Sequence, residues 1–260
     1  MTQSSVAISV DGQDWVVLNA SPDIRAQVQQ SGLHPQTLRG SPIKAVVLTN
    51  GDIDHIAGLL TLRESTPFTI YATAAAMEIL TQPVFRVLNP ELVQKQQIAL
   101  DTTFAPLPDL NITAFAVPGK VALFLEEGEP DTALVGEQTV GLKIQAGGKV
   151  LYYIPGCALV PDDLLERLTD ADLLLFDGTV WENDEMKRTG TGIKTGARMG
   201  HIAMAGADGS IARLAGLRDT RRIFIHVNNT NPVLQPASRE YAIMQEAGWA
   251  LAQDGMEITI

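Results

Sequence analysis

The sequence predicts an α/β fold in which two packed β-sheets carry helices on their outer faces. Three observations lead there. Short, β-branched apolar runs such as KAVVLT (44–49), LLLF (173–176) and RIFI (222–225) have the length and composition of buried strands. Segments with helical periodicity follow them. The strands gather in two groups with helices after each, which suits a sandwich of two sheets. At 260 residues and 45% hydrophobic composition, the chain can bury a sizeable core, and one domain over 1–260 is expected.

Taken in order, 6–10 and 14–20 read as a hairpin around Asp11-Gly12, a strong turn signal. Ser21 caps and Pro22 opens a helix running to about Ser31. The strand at 44–49 leads through a loop into a helix with an apolar face at 56–64, then a strand at 68–72 and a helix that begins after Thr73. From Asn111 the pattern turns to strands: ITAFAVP, VALFL, VGLKIQA and KVLYYIP, the last two joined at Gly147-Gly148. A helix at 161–168, strands at 172–176 and 222–226, a helix at 237–247 and a strand at 256–260 complete the chain. TVWENDEMKRTGTGIKTGARMG and VLNPELVQKQQ lack periodicity and read as mobile loops that close over a substrate.

The formal net charge is -11 and no basic stripe appears, which argues against nucleic acid or an anionic membrane as partner. A single cysteine, Cys157, excludes a disulfide framework and a cysteine-cluster metal site within these residues; it reads as an apolar filler. No apolar run reaches the roughly eighteen residues of a membrane span, the start has no signal-peptide pattern, and a cytoplasmic location is expected. Trp15 and Trp181 read as packing residues and His34 as a surface residue.

The chemistry concentrates at three strand ends. TNGDIDHIAGL (49–59) presents Asp54 and His55 in a strand-to-helix loop, a rigid platform where α/β folds place ligands. LLLF runs into Asp177-Gly178-Thr179, and RIFI into His226, Val227, Asn228, Asn229 and Thr230. Asp54, His55 and His226 make a two-histidine, one-carboxylate set with open positions, favouring non-haem ferrous iron and oxygen chemistry over a closed zinc site. Asp177 is a further carboxylate ligand, a partner that orients a histidine, or a turn residue before Gly178. His201, glycine-flanked in RMGH, is a substrate contact or proton donor, or an exposed loop histidine. Asn228, Asn229 and Thr230 either bond substrate or make a turn before Pro232. Lys120 and Arg25 pair with substrate carboxylates or form ordinary ion pairs.

LNASPDIRAQ (18–27), TNGDIDHIAGLL (49–60), VPGKVALF (117–124), YIPGCA (153–158), LLFDGTVWENDEM (174–186), MGHIAMAGADGSIA (199–212) and FIHVNNTNPVL (224–234) together resemble the coenzyme PQQ (pyrroloquinoline quinone) synthesis protein B family, in order and over essentially the whole chain. The resemblance implies a metallo-β-lactamase-like αβ/βα sandwich, whose metal loop reads T-H-x-H-x-D-H-x-x-G-L. It places Asp54, His55 and His226 on second-site ligand positions and Asn50, Asp52 and Lys120 where first-site histidines stand, so one metal is expected. It implies iron- and oxygen-dependent hydroxylation of a tyrosine-containing peptide in PQQ biosynthesis, with Fe(II) as the metal, Zn or Mn as alternatives, and O2 as co-substrate. A carrier of PQQ or its precursor to the periplasm, or a single-metal hydrolase, are the alternative readings.

His201 and Asp52 are then the catalytic candidates, and Asn50, Lys120, Asn228, Asn229, Thr230 and Arg25 the substrate contacts. The expected partners are the tyrosine-containing peptide or a PQQ-like quinone, with other PQQ-pathway proteins; a homodimer is compatible. Two departures stand out. Tyr153-Ile154-Pro155-Gly156-Cys157 holds no carboxylate where the fold carries its bridging aspartate, which leaves Asp177 for that role. The family's first strand, glycine-rich loop and zinc-binding cysteine cluster precede the point where this sequence starts, so no structural zinc is expected.

Overall fold

Twelve strands build two mixed sheets in the computed structural model, which describes every residue except 1, 34–36, 39 and 130. His34 lies outside the described residues. The first sheet runs in order β1 (Val6–Ile8), β2 (Trp15–Leu18), β3 (Ile43–Val47), β4 (Phe68–Ala72) and β5 (Val93–Gln97); β1 is antiparallel to β2 and the rest are parallel. In the second, β6 (Thr103–Leu107), β7 (Leu110–Gly119), β8 (Leu134–Ala146) and β9 (Lys149–Ile154) pair antiparallel. β10 (Leu173–Asp177), β11 (Arg221–Ile225) and β12 (Trp249–Leu251) continue it in parallel from β9.

The two-residue alternation of strand side chains sorts the core into three bodies. Val16, Leu18, Ala45 and Val47 of the first sheet meet Ile112, Leu142, Tyr153, Leu175 and Ile223 of the second between the sheets. Val17, Val46 and Leu48 point the other way and are covered by Ile24 of α1 (Ile24–Gln30), Ile56 of α2 (Ile53–Ile56) and Ile79 of α3 (Ala74–Ile79). Tyr152, Leu174, Phe176 and Phe224 pack outward against Leu164 of α4 (Asp162–Arg167) and Met244 of the helix Arg239–Glu246. Phe224 and Trp249 stack with ring centroids 3.9 Å apart. Helices therefore flank both sheets, as the periodicity predicts.

The differences have physical causes. VALFL, expected as a strand, forms only a 3-10 turn at Leu123–Leu125, because it lies in the long loop joining β7 to β8 and meets no partner strand. The segment 93–97, expected as part of a mobile loop, is the edge strand β5; only Val93 of it is buried, so no alternation marks it in the sequence. The other expected loop contains two single-turn helices, α5 (Glu185–Arg188) and α6 (Gly196–Met199). The final strand is Trp249–Leu251, not 256–260, since a turn at Gly255, with φ +75°, leads the chain off the ladder. After α2 comes a 3-10 turn, Ala57–Leu60, where Gly58 meets the backbone at Ser21 so closely that a Cβ would lie 2.3 Å from its carbonyl oxygen. Ser21 does not cap α1 directly; its hydroxyl accepts from the Asp23 N–H at 3.3 Å and the helix begins at Ile24. Among the described residues, no helix is long and apolar enough to cross a membrane.

Candidate metal centre

The cluster forms where the ends of β3, β10 and β11 converge. Asp177 is the last residue of β10, His226 directly follows the neighbouring strand β11, and α2 brings Asp54 and His55 across from the first sheet. His201 joins them from just beyond α6. His226 Nε2 lies 2.9 Å from Asp54 Oδ2, and His55 Nε2 lies 3.7 Å from the same oxygen. His201 Nδ1 is 2.8 Å from Asp177 Oδ2. Two donor groups result, Asp54-His55-His226 and Asp177-His201-His226, each with its ligand atoms within 4.8 Å of one another. They share His226.

Thr179 sets the protons. Its hydroxyl donates to Asp177 Oδ1 at 2.6 Å and stands 2.8 Å from His226 Nδ1. With that proton committed, the hydroxyl accepts from an Nδ1–H on His226, so in the neutral ring Nε2 turns a lone pair toward the Asp54 carboxylate. Two acceptors 2.9 Å apart require a cation between them, a proton or a metal. Burial alone lowers the pKa of His226, but the hydrogen bond and charge of Asp54 raise it overall. Burial pushes His55 down to about 4, which leaves it neutral near pH 7. Burial opposes the charges of Asp54 and Asp177, but His226 at the one and His201 at the other hold both below the usual carboxylate range.

Both ring nitrogens of His55 are buried without a hydrogen-bond partner. Buried polar atoms in folded proteins are almost always satisfied, so a neutral, orphaned imidazole beside an anionic carboxylate fits a divalent cation. His226 also sits at φ +55°, a left-handed conformation that costs a non-glycine residue of order 1 kcal/mol.

Asn19, at the end of β2, anchors the loop that carries Asp54 and His55 and has no counterpart among the sequence candidates. Its side chain accepts from the Thr49 N–H at 2.9 Å and donates to Tyr153 Oη at 3.2 Å, while the next residue, Ala20, donates to the His55 carbonyl at 2.7 Å. Asn19→Ala is expected to cost about 2 kcal/mol by stranding the buried Thr49 amide. Thermal melts of the metal-free protein, where no ligand effect intrudes, measure that loss.

The remaining candidates are placed as follows. Asn50 Oδ1 accepts from the Asp52 N–H at 3.0 Å, and Asp52 Oδ1 from the Leu123 N–H at 2.9 Å, so both brace loops beside the cluster. Lys120 is buried and spends its charge on Glu126 Oε1 at 2.8 Å. Arg198 donates to Glu126 Oε2 at 2.9 Å. Asn228 donates to Met186 Sδ, and Thr230 donates to the buried Glu185 at 2.5 Å, which also accepts from the Trp181 N–H. Asn229 is exposed. Arg25 lies exposed on α1, and no hydrogen bond or ion pair among the described residues joins it to the cluster. Thr179, Glu126 and Glu185 escaped the sequence reading; only Thr179 carries a signal, its place directly after Asp177-Gly178.

Burial opposes the Glu126 charge, but Arg198 and Lys120 outweigh it and bring the pKa from 4.5 to about 2. A carboxyl depressed on folding contributes stability that is complete above its unfolded pKa and is lost as pH falls through the folded one. Between pH 4.5 and 2, melting temperature is therefore expected to fall more steeply in the native protein than in Glu126→Gln. Parallel slopes in the two proteins would remove the ion pairs from the account.

A model of the beta-lactamase superfamily domain matches residues 14–227. The coenzyme PQQ synthesis protein B of Ruegeria pomeroyi is 56% identical over 260 residues, covering 99% of this chain and 88% of the relative. This chain belongs to the coenzyme PQQ synthesis protein B family. A solved member of that family, the zinc-bound PqqB of Methylobacterium extorquens, is 54% identical and matches with a TM-score of 0.97, covering 100% of this chain and 88% of its own. The fold is the metallo-β-lactamase sandwich of two packed mixed sheets with helices. A diphosphatase of the PhnP family, 19% identical with a TM-score of 0.70 over 100% of this chain and 85% of its own, shares the fold alone.

Proposed function

We propose that this protein serves coenzyme PQQ synthesis as a metal-dependent hydroxylase of a tyrosine-containing peptide, with Asp54, His55 and His226 as the metal ligands. The observation that carries the reading is His55, whose two buried ring nitrogens have no hydrogen-bond partner, beside the Asp54 carboxylate and His226 Nε2, themselves 2.9 Å apart. The imidazoles of His55 and His226 and the carboxylate of Asp54 would hold ferrous iron, which when bound would supply oxygen activation. The protein does the rest. Thr179 fixes the His226 tautomer, and Asp177 orients His201 through Nδ1. His201, partly open to solvent, holds or releases a proton at Nε2 for the phenol. At the positions where the fold's first-site histidines would stand, Asn50 and Asp52 brace loops and Lys120 is neutralised by Glu126.

Anaerobic titration of the metal-free protein with ferrous iron, followed by oxygen uptake with a Glu-Tyr peptide, tests the proposal. One equivalent of iron and peptide hydroxylation, both lost in His226→Ala, with hydroxylation lost and iron binding weakened in His55→Ala, is the expected result. Iron binding with tight quinone binding and no turnover would make the protein a carrier instead; hydrolysis of the peptide with zinc would make it a hydrolase.

A further inference from the structure

Leu123, Phe124 and Leu125 are successive residues of the 3-10 turn in the β7–β8 loop, 54%, 48% and 49% exposed. Ile53, between Asp52 and Asp54 of the ligand loop, is exposed as well. Exposed apolar side chains grouped on a surface mark interaction sites. These are held firmly. On one side Asp52 Oδ1 accepts from the Leu123 N–H at 2.9 Å. On the other, Glu126 is buried between Lys120 and Arg198, at 2.8 and 2.9 Å. The turn is thus fastened both to the loop carrying Asp54 and His55 and to the helix that precedes His201. Just beyond it, Glu127 and Asp131 are exposed and acidic, as is Glu129, which lies 3.7 Å from Arg198.

We propose that Leu123–Leu125 and Ile53 form a docking lip for the polypeptide that carries the substrate tyrosine, taking one or two of its apolar side chains followed by a lysine or arginine. The inference rests on the peptide-substrate reading above. Position argues for it, because the lip abuts the loop that bears two metal ligands. Charge argues for it too, since the acidic rim attracts a basic flank and steers its approach. The same rim disfavours a second copy of this chain, which would bring like charges together, and an anionic membrane surface. A lip clamped before binding loses little freedom when it engages.

The test uses the metal-free protein and two fluorescent tyrosine-containing peptides with the same Leu-Phe pair, one flanked by lysines and one by glutamates, with binding read by anisotropy. The lysine peptide is expected to bind about tenfold tighter, and to lose that advantage as salt rises from about 0.05 to about 0.5 M. A Leu123→Ser, Phe124→Ser, Leu125→Ser variant is expected to bind it about tenfold more weakly. Should that variant not fold, Glu127→Lys with Glu129→Lys decides instead, by reversing the preference between the peptides. Equal binding of both peptides, or undiminished binding by the serine variant, overturns the proposal. So does a native dimer that the serine variant converts to monomer. A protein that binds the lysine peptide as described but hydroxylates nothing sinks the hydroxylase reading and leaves the lip standing.

Discussion

His226→Ala is expected to weaken divalent metal binding by at least about a hundredfold, more than any other single change at the cluster. His226 alone belongs to both donor groups, so its loss dismantles both, whereas His55→Ala leaves Asp177-His201-His226 and His201→Ala leaves Asp54-His55-His226. Competition titration with zinc against a chromophoric chelator gives the order of the three variants. Metal affinity in His226→Ala equal to that of either other variant would refute the shared position. His226→Gly supplies a control on the backbone. Glycine tolerates φ +55° where alanine does not, so His226→Gly should lose metal as completely while being about 1 kcal/mol more stable than His226→Ala.

Asp177→Ala carries the largest expected effect on stability, about 3–5 kcal/mol, which for a chain of this size lowers the melting temperature by on the order of 10 °C. The carboxylate is fully buried and collects the Cys157 N–H at 3.0 Å, the Thr179 N–H at 3.0 Å and hydroxyl at 2.6 Å, and His201 Nδ1 at 2.8 Å. Alanine strands all of them in the interior. Asp177→Asn keeps one acceptor but turns an amide toward donors, so its cost is expected to fall between. A loss below about 1 kcal/mol in Asp177→Ala would show that the neighbourhood relaxes or hydrates freely.

The strand ends that carry the clustered side chains were legible because each is an apolar run followed closely by a polar residue able to ligate: KAVVLT before the Asp54-His55 loop, LLLF before Asp177, RIFI before His226. Those signals are local. β5 was hidden because an edge strand with exposed Gln and Lys side chains shows no alternation. The 256–260 run has the composition of a strand, and only the turn before it decides that β12 lies elsewhere. Glu126 and Glu185 were invisible for another reason: their roles come from partners such as Arg198 and Thr230, 72 and 45 residues away in the chain. Lys120 and Arg25 show the converse. A cation in a sequence looks available, but folding commits Lys120 to Glu126 and leaves Arg25 on an outer helix.

Asp54 and His55 hang from the first sheet; Asp177 and His226 hang from the second. A cation bound among them is a rivet through two plates that otherwise adhere by their apolar faces and a few hydrogen bonds, such as those from Asn19 to Tyr153 Oη and from the Val140 N–H to the Thr49 carbonyl. Any excursion in which the sheets part, even slightly and with every strand intact, must first release the ion. Metal occupancy therefore resists that particular opening by mass action, and exchange of buried amides along β3 and β11 should slow in step with metal concentration while amides on the outer faces of the helices hardly respond.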